Sequence, residues 1–125
     1  TINIRYPVTM DAEEVYSGLM TVLDSYDLGI VKGQHQEPIY MPADSPLITK
    51  LMDIYRKHTD DESCESVVIG GGTYARAMDN IIAFGARFPE RPELAHQKNE
   101  KISEDDLVKM AQIYAEAVWA LSEME

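Results

Sequence analysis

The sequence predicts an α/β (α+β) chain, because segments with the period of a strand alternate with segments with the period of a helix. Three helix starts carry capping residues, and short apolar runs lie between the helices. Of the 125 residues, 45% are hydrophobic and 26% charged, which is typical of globular proteins. A chain of this length ordinarily forms one domain with a modest core.

The first elements are predicted to be a strand, a helix and two short β-prone runs. Apolar and polar side chains alternate over residues 1–8, which indicates a strand. Asp11 and Glu14 form a capping pair ahead of an apolar stripe, so a helix of about four turns follows. Residues 28–32 and 38–41 are short runs of β-prone side chains around a turn.

The remaining elements are predicted from caps, apolar runs and a loop. Ser45 and Pro46 give an N-cap and a first helical residue in the preferred order. The apolar run 67–69 predicts a strand covered on both faces. Residues 89–99 are polar and lack a period, so a long loop precedes a last helix capped by Ser103. The inner face of that helix is predicted to consist of Leu107, Met110, Ala111, Tyr114, Ala117, Val118 and Leu121.

Charge and cysteine content exclude several classes of partner and compartment. The formal net charge is −11, from 22 acidic and 11 basic side chains, and it repels phosphate backbones and anionic lipid. We therefore expect neither a nucleic-acid partner nor a membrane partner. Cys64 is the single cysteine, which excludes an intrachain disulfide and fits a reducing compartment, the cytoplasm.

The segment GGGTYAR, residues 70–76, is the first candidate for binding chemistry. It follows an apolar run, and its glycines allow backbone N–H groups to approach an anionic ligand. It is neither a phosphate loop, since no Lys follows, nor a dinucleotide-binding pattern. The same residues also fit a tight turn with a surface arginine.

Two single residues could carry a site. His96, in the polar loop, could bind a metal or carry a proton, although metal sites need several converging groups. Arg5, on the polar face of the first predicted strand, could grip a carboxylate through two parallel hydrogen bonds. An ordinary loop histidine and a solvated arginine are the alternatives. His35 is predicted to be an exposed turn residue and His58 a charge partner at a helix C-terminus.

A resemblance to a known family rests on three separated segments: NIRYP at the start, VVIGGGTYARAMDN with IIAFGARFP in the middle, and ELAHQKNEKIS before the last helix. Together they resemble the C-terminal part of the bacterial Xaa-His (carnosinase-like) dipeptidases. These enzymes belong to the superfamily of aminoacylase, carboxypeptidase G and succinyl-diaminopimelate desuccinylase. The spacing of GGGTYAR and HQKNE is the most specific part of the resemblance.

The resemblance implies parts of two domains. Residues 1–42 would be the last strand, helix and strand of a ferredoxin-like lid domain. Residues 43–125 would be the closing part of the catalytic domain of a two-zinc exopeptidase. The chain opens at Thr1 rather than at Met, and it lacks counterparts of the family's other zinc ligands and of its glutamate general base. We therefore expect a fragment of a protein several times longer, inactive by itself.

The resemblance also assigns roles to individual residues. His96 would be the last zinc ligand, with Glu100 as a group that could orient it, and Arg5 would bind the substrate carboxylate. The full active site would hold two zinc ions, with Mn or Co as alternatives. No catalytic residue is expected in this segment, because the general base lies upstream. The substrate pocket would be lined by Gly71, Gly72, Thr73 and Arg76.

The resemblance therefore implies a metal-dependent dipeptidase acting on dipeptides with a free C-terminal carboxylate. Its expected partners are the dipeptide substrate and the remainder of the parent chain. An aminoacylase or a carboxypeptidase of the same superfamily is one alternative, since these enzymes share the motif positions. A non-catalytic domain that binds a small carboxylate is the other.

Overall fold

The computed structural model describes residues 1–85 and 87–124. Its regular elements are α1 (Ala12–Asp24), α2 (Pro46–Thr59), a 3₁₀ turn (Tyr74–Ala77) and α3 (Glu104–Ser122). Among the helices formed by these residues, none combines the length and the apolar character needed to cross a membrane. The chain divides into two compact units. The first unit comprises Thr1–Tyr40 and Gly70–Ile82, and the second comprises Met41–Ile69 and Ala83–Glu125.

Helix α1, in the first unit, begins with the predicted capping pair. The Asp11 carboxylate accepts a hydrogen bond from the Glu14 N–H at 2.8 Å, and the Glu14 carboxylate accepts one from the Asp11 N–H at 3.2 Å. None of the residues of α1 is fully buried. Lys32 ties the following segment to the helix, because its Nζ lies 2.7 Å from Glu13 Oε1 and 3.9 Å from the centre of the Tyr16 ring.

Helices α2 and α3 pack against each other and form the core of the second unit. Ile113 of α3 is fully buried. Glu116 of α3 contacts two side chains of α2. Its Oε1 accepts a hydrogen bond from Lys57 Nζ at 2.7 Å, and its Oε2 lies 2.7 Å from His58 Nε2. His58 thus pairs with a neighbouring helix and is partly buried, which its position at the end of α2 did not reveal. The other apolar residues of this core are Ile48, Leu51, Ile54, Tyr55, Phe88 and Ala117.

The predicted inner face of α3 is only partly correct. Ala117 is buried as predicted, but Leu107 and Val118 are largely exposed. The buried face instead includes Asp106 and Ile113, which are seven residues apart and therefore lie on one side of the helix. Helical spacing left two adjacent apolar stripes to choose from, and the packing of α3 against α2 buries the one that includes Ile113.

An ion pair between the exposed Arg91 and the buried carboxylate of Asp106 lies at the first turn of α3. Asp106 accepts two hydrogen bonds from the Arg91 guanidinium, Nε to Oδ2 at 2.8 Å and Nη2 to Oδ1 at 2.9 Å. Ser103 caps the helix by accepting the Asp106 N–H at 3.1 Å. The bidentate contact with Arg91 holds the pKa of the Asp106 carboxyl below its ordinary value of 3.8.

This lowered pKa predicts an acid-sensitive contribution to stability. Because the folded-state pKa of Asp106 is depressed, the ion pair stabilises the fold at pH values above 3.8 and is lost as pH falls through the folded-state pKa. Asp106→Asn should lower the urea midpoint at pH 7, and the difference from the original chain should shrink towards pH 3. Urea unfolding at pH 7, 5 and 3 checks this, and a difference that is equal at all three values would contradict it.

The structure does not confirm the predicted strands, because the described residues form no β-strand. Residues 1–8, 28–32 and 38–41 have no ladder, and neither does the run 67–69 that was predicted to be covered on both faces. Val67 is 81% and Val68 95% exposed. The physical reason is that a strand exists only where a second strand receives its N–H and C=O groups, and none lies alongside in residues 1–85 and 87–124.

Candidate substrate-carboxylate site and metal ligand

The glycine loop 70–72 leads into the 3₁₀ turn of the first unit. Thr73 caps this turn, because its Oγ1 accepts the Ala75 N–H at 3.2 Å. None of the described glycines has a positive φ, so the loop does not depend on the left-handed region. A Cβ built on Gly72 would lie 3.4 Å from Nε of Arg76. The Arg76 side chain therefore lies at van der Waals distance from this position, beside the backbone of Gly72.

Two arginines contact this loop. Arg5 Nη1 donates a hydrogen bond to the carbonyl oxygen of Gly70, and Arg76 lies beside Gly72. In the part of the chain that the structure describes, neither guanidinium pairs with a carboxylate. The other arginines all do: Arg56 with Asp53, Arg87 with Glu93, and Arg91 with Asp106.

These contacts concentrate positive charge in a strongly acidic chain. Arg5 and Arg76 are both exposed. Within residues 1–85 and 87–124, the N–H groups of Gly71 and Gly72 donate to no protein acceptor. Guanidinium and backbone N–H groups are the donors that carboxylates and phosphates prefer. The loop and its arginines are therefore chemically suited to bind an anion.

Gln36 belongs to the same cluster and was missed at the level of sequence. Arg76 Nη1 donates to the Gln36 side-chain oxygen at 2.7 Å, across 40 residues of chain. The contact leaves the other guanidinium nitrogens of Arg76 available. Nothing in the sequence around Gln36 signals this role, because it stands in a segment without periodicity and its partner is remote.

His96 lies in the second unit, in the loop before α3. Its φ is 60°, and Asn99 three residues later has φ 65°. The left-handed region is uncommon outside glycine, and it occurs at functional loops whose surroundings enforce it. The His96 N–H donates to Glu100 Oε2 at 3.2 Å, so Glu100 holds the backbone of the turn and not the imidazole.

The imidazole of His96 suits a metal, but only as one ligand. The ring is exposed and makes no hydrogen bond with the described residues. A search of those residues finds no group of three or more His, Cys, Asp and Glu that could hold a metal ion. Structural and catalytic zinc sites use three or four protein ligands. The side chains described here can therefore supply one ligand of such a site and not a closed coordination sphere.

The predicted site residues lie in two different units. The structure brings Arg5, Gly71, Gly72, Thr73 and Arg76 together in the first unit. His96 is in the second unit. The assigned roles of these residues in binding stay predictions.

Comparison with known proteins gives close relatives. A protein of Staphylococcus haemolyticus (strain JCSC1435) that bears the name "Putative dipeptidase" is 39% identical over 120 residues. Proteins of Staphylococcus aureus strains USA300 and N315 that bear the same name are 38% identical over 120 residues. The alignment covers 96% of this chain but 25% of each relative, so the chain spans about a quarter of the length of these relatives. No solved structure matches the chain significantly.

The family itself is identified by a match over nearly the whole chain. The model of peptidase family M20/M25/M40 matches residues 5–120. The match begins at Arg5 and includes the glycine loop, Arg76 and His96. The resemblance inferred from the motifs is therefore confirmed, and the chain belongs to peptidase family M20/M25/M40.

Proposed function

We propose that the chain is part of a metal-dependent dipeptidase that hydrolyses the peptide bond of dipeptides with a free C-terminal carboxylate. In this proposal the carboxylate binds to Arg5, Arg76 and the glycine loop, with Thr73 beside them, and His96 is a zinc ligand. Residues 1–42 would belong to a ferredoxin-like lid domain and residues 43–125 to an α/β catalytic domain. The names of the relatives support dipeptidase activity over the other activities of the superfamily.

The observation that carries the proposal is a pair of arginines that have no carboxylate partner within residues 1–85 and 87–124. The chain has 22 acidic side chains, and each of its other three arginines has an acidic neighbour, as Arg56 and Arg87 do. Arg5 and Arg76 instead share one glycine loop. An incoming carboxylate could accept hydrogen bonds from both guanidinium groups without displacing a carboxylate of this chain.

Binding the carboxylate end of a substrate would make the enzyme select peptides by their length. If the terminal carboxylate is fixed at the arginines, the distance from it to the scissile bond is fixed as well, so only short peptides place that bond at the reacting centre. An enzyme that binds its substrate in this way would act as an exopeptidase. The chain's own contribution to the reaction is therefore binding and orientation, together with one imidazole ligand from His96.

Zinc, when bound, would polarise the scissile carbonyl and lower the pKa of a coordinated water. His96 would hold it through a ring nitrogen, and the left-handed turn would fix the direction of the ring. Glu100 would keep that turn closed through the His96 N–H. The remaining ligands and the general base would come from the part of the parent protein outside these residues.

The test of this proposal is a comparison of dipeptides with their C-terminal amides, using the longer parent protein. Replacing the carboxylate by an amide removes a charge-assisted contact, so kcat/KM for the amide should fall roughly 30-fold or more. Equal cleavage of the acid and the amide would refute the carboxylate role. N-acyl amino acids in the same assay separate the aminoacylase alternative, and longer peptides separate the carboxypeptidase alternative.

The chain of 125 residues by itself should show no peptidase activity. One imidazole cannot replace three or four converging ligands, so the chain should bind zinc no more tightly than an exposed histidine does. Zinc titration by calorimetry and a dipeptide assay check both statements. Hydrolysis that a chelator inhibits would contradict them. Carboxylate binding without hydrolysis, in the chain and in the longer protein alike, would favour the non-catalytic alternative.

A further inference from the structure

Tyr6 and His35 form a polar contact that the proposed function does not use. The Tyr6 hydroxyl lies 2.6 Å from His35 Nε2, and the two rings are nearly parallel, with an interplanar angle of 10°. Glu37 continues the chain of polar groups, because its Oε1 lies 3.6 Å from His35 Nδ1. The contact joins two segments that are 29 residues apart and form no regular structure.

The Tyr6 hydroxyl can take either role in this hydrogen bond. Partial burial, and after it the carboxylates of Glu37 and Asp11, raise the pKa of the Tyr6 hydroxyl above its usual value. A protonated hydroxyl can donate to a ring nitrogen or accept from a ring N–H, so the donor depends on the tautomer of His35. The contact is therefore a hydrogen bond with either tautomer.

Each member of this pair is next to a residue of the candidate carboxylate site. Tyr6 follows Arg5, which bonds the carbonyl of Gly70, and His35 precedes Gln36, which accepts from Arg76. The contacts and the chain thus form a closed ring within the first unit. In order, the ring runs through Arg5, Gly70, Gly72, Arg76, Gln36, His35 and Tyr6.

The Tyr6–His35 contact closes this ring on the side away from the glycine loop. Without it, Arg5 and Arg76 would each keep one contact near the loop, but the segments that carry Arg5 and Gln36 could separate. The segment that carries Gln36 also has a contact with α1, because Lys32 binds Glu13 and lies over the ring of Tyr16. The Tyr6–His35 contact therefore controls the spacing of the two guanidinium groups.

We propose that Tyr6 and His35 are positioning residues that set the distance between Arg5 and Arg76 for binding of a dipeptide's terminal carboxylate. This inference rests on the proposed function. Tyr6 and His35 touch neither substrate nor metal in this account, so their loss weakens binding and leaves the chemical step intact. The effect should be confined to substrates that carry the carboxylate.

The experiment uses the longer parent protein with Tyr6→Phe and His35→Leu. Losing a neutral hydrogen bond should raise KM for a free-acid dipeptide by about three- to tenfold, with kcat within about twofold and zinc content unchanged. His35→Gln, which keeps an acceptor, should restore most of the affinity. The double variant should be no worse than the larger single one, because both changes break the same contact.

Controls separate positioning from a general structural effect. Tyr26→Phe is the matched control, because Tyr26 is 71% exposed and its side chain makes no hydrogen bond or ring contact with the described residues. KM for the C-terminal amide should not change in any variant. An equal rise in KM for acid and amide, an unchanged KM, or failure of all the variants at positions 6 and 35 to fold would overturn the inference.

The same measurements distinguish the two proposals. If the original protein does not prefer the acid to the amide, the carboxylate role fails, whatever the variants do. If it does prefer the acid and Tyr6→Phe keeps its KM, the carboxylate role stands and the positioning role fails.

Discussion

Replacing His96 in the longer parent protein is expected to lower its zinc content from about two ions per active site to about one, and turnover by about a hundredfold or more. A site with three protein ligands becomes a site with two. His96→Asn is the better variant, because asparagine tolerates the φ of 60° at this position, whereas alanine there adds backbone strain. His96→Ala should lose zinc equally and also lose stability.

The control for this experiment is His58→Ala. His58 bonds Glu116 between α2 and α3, so its loss should lower stability while both zinc ions stay bound. Zinc is measured by elemental analysis of dialysed protein, together with dipeptide turnover. A His96→Asn protein that keeps both zinc ions and near-normal turnover would show that His96 is an ordinary loop histidine.

Arg5→Ala in the longer protein should lower kcat/KM for free-acid dipeptides by roughly 10- to 100-fold, which corresponds to losing a hydrogen bond to a charged group, about 1.5 to 3 kcal/mol. In the proposed site this change would remove one of the two guanidinium groups that would bind the carboxylate, and it breaks the hydrogen bond to Gly70. Zinc content should not change. Cleavage of the corresponding amide should change little, since the amide lacks the charge that Arg5 would bind.

Arg87→Ala is a matched control, because Arg87 is an exposed arginine whose partner is the carboxylate of Glu93. Its removal takes the same charge from the chain and should leave kcat/KM unaffected. If Arg87→Ala and Arg5→Ala lowered activity equally, the effect of Arg5 would be one of overall charge. The binding role of Arg5 would then be wrong.

The helices could be predicted from sequence because their start signals are local. Asp11, Ser45 and Ser103 each cap the helix that they were predicted to cap. Such caps depend on residues at most three positions apart, which a sequence displays directly. The face of α3 was less predictable, since it depends on partners remote in sequence: helix α2, on which α3 packs, and Arg91, which pairs with Asp106 from 15 positions away.

The strands and the site depend on distant partners. The run 67–69 has the composition of a buried strand, but composition does not supply the neighbouring strand that makes one. Arg5 and the glycine loop were candidates from their residue types, and the family resemblance assigned their roles, but their proximity across 65 residues became visible only in the structure. Gln36 and the Tyr6–His35 contact have no local pattern, so sequence gave no means of finding them.

The exposure of Val67 and Val68 has a consequence for how this chain behaves at high concentration. A bare apolar run with unpaired backbone groups is a template on which a second copy can build a strand. At neutral pH the net charge of −11 keeps copies apart. As the pH approaches the isoelectric point near 4.6, that repulsion vanishes while the run stays exposed. The colloidal stability of the chain thus depends on its acidic surface, and acidification removes the barrier to self-association.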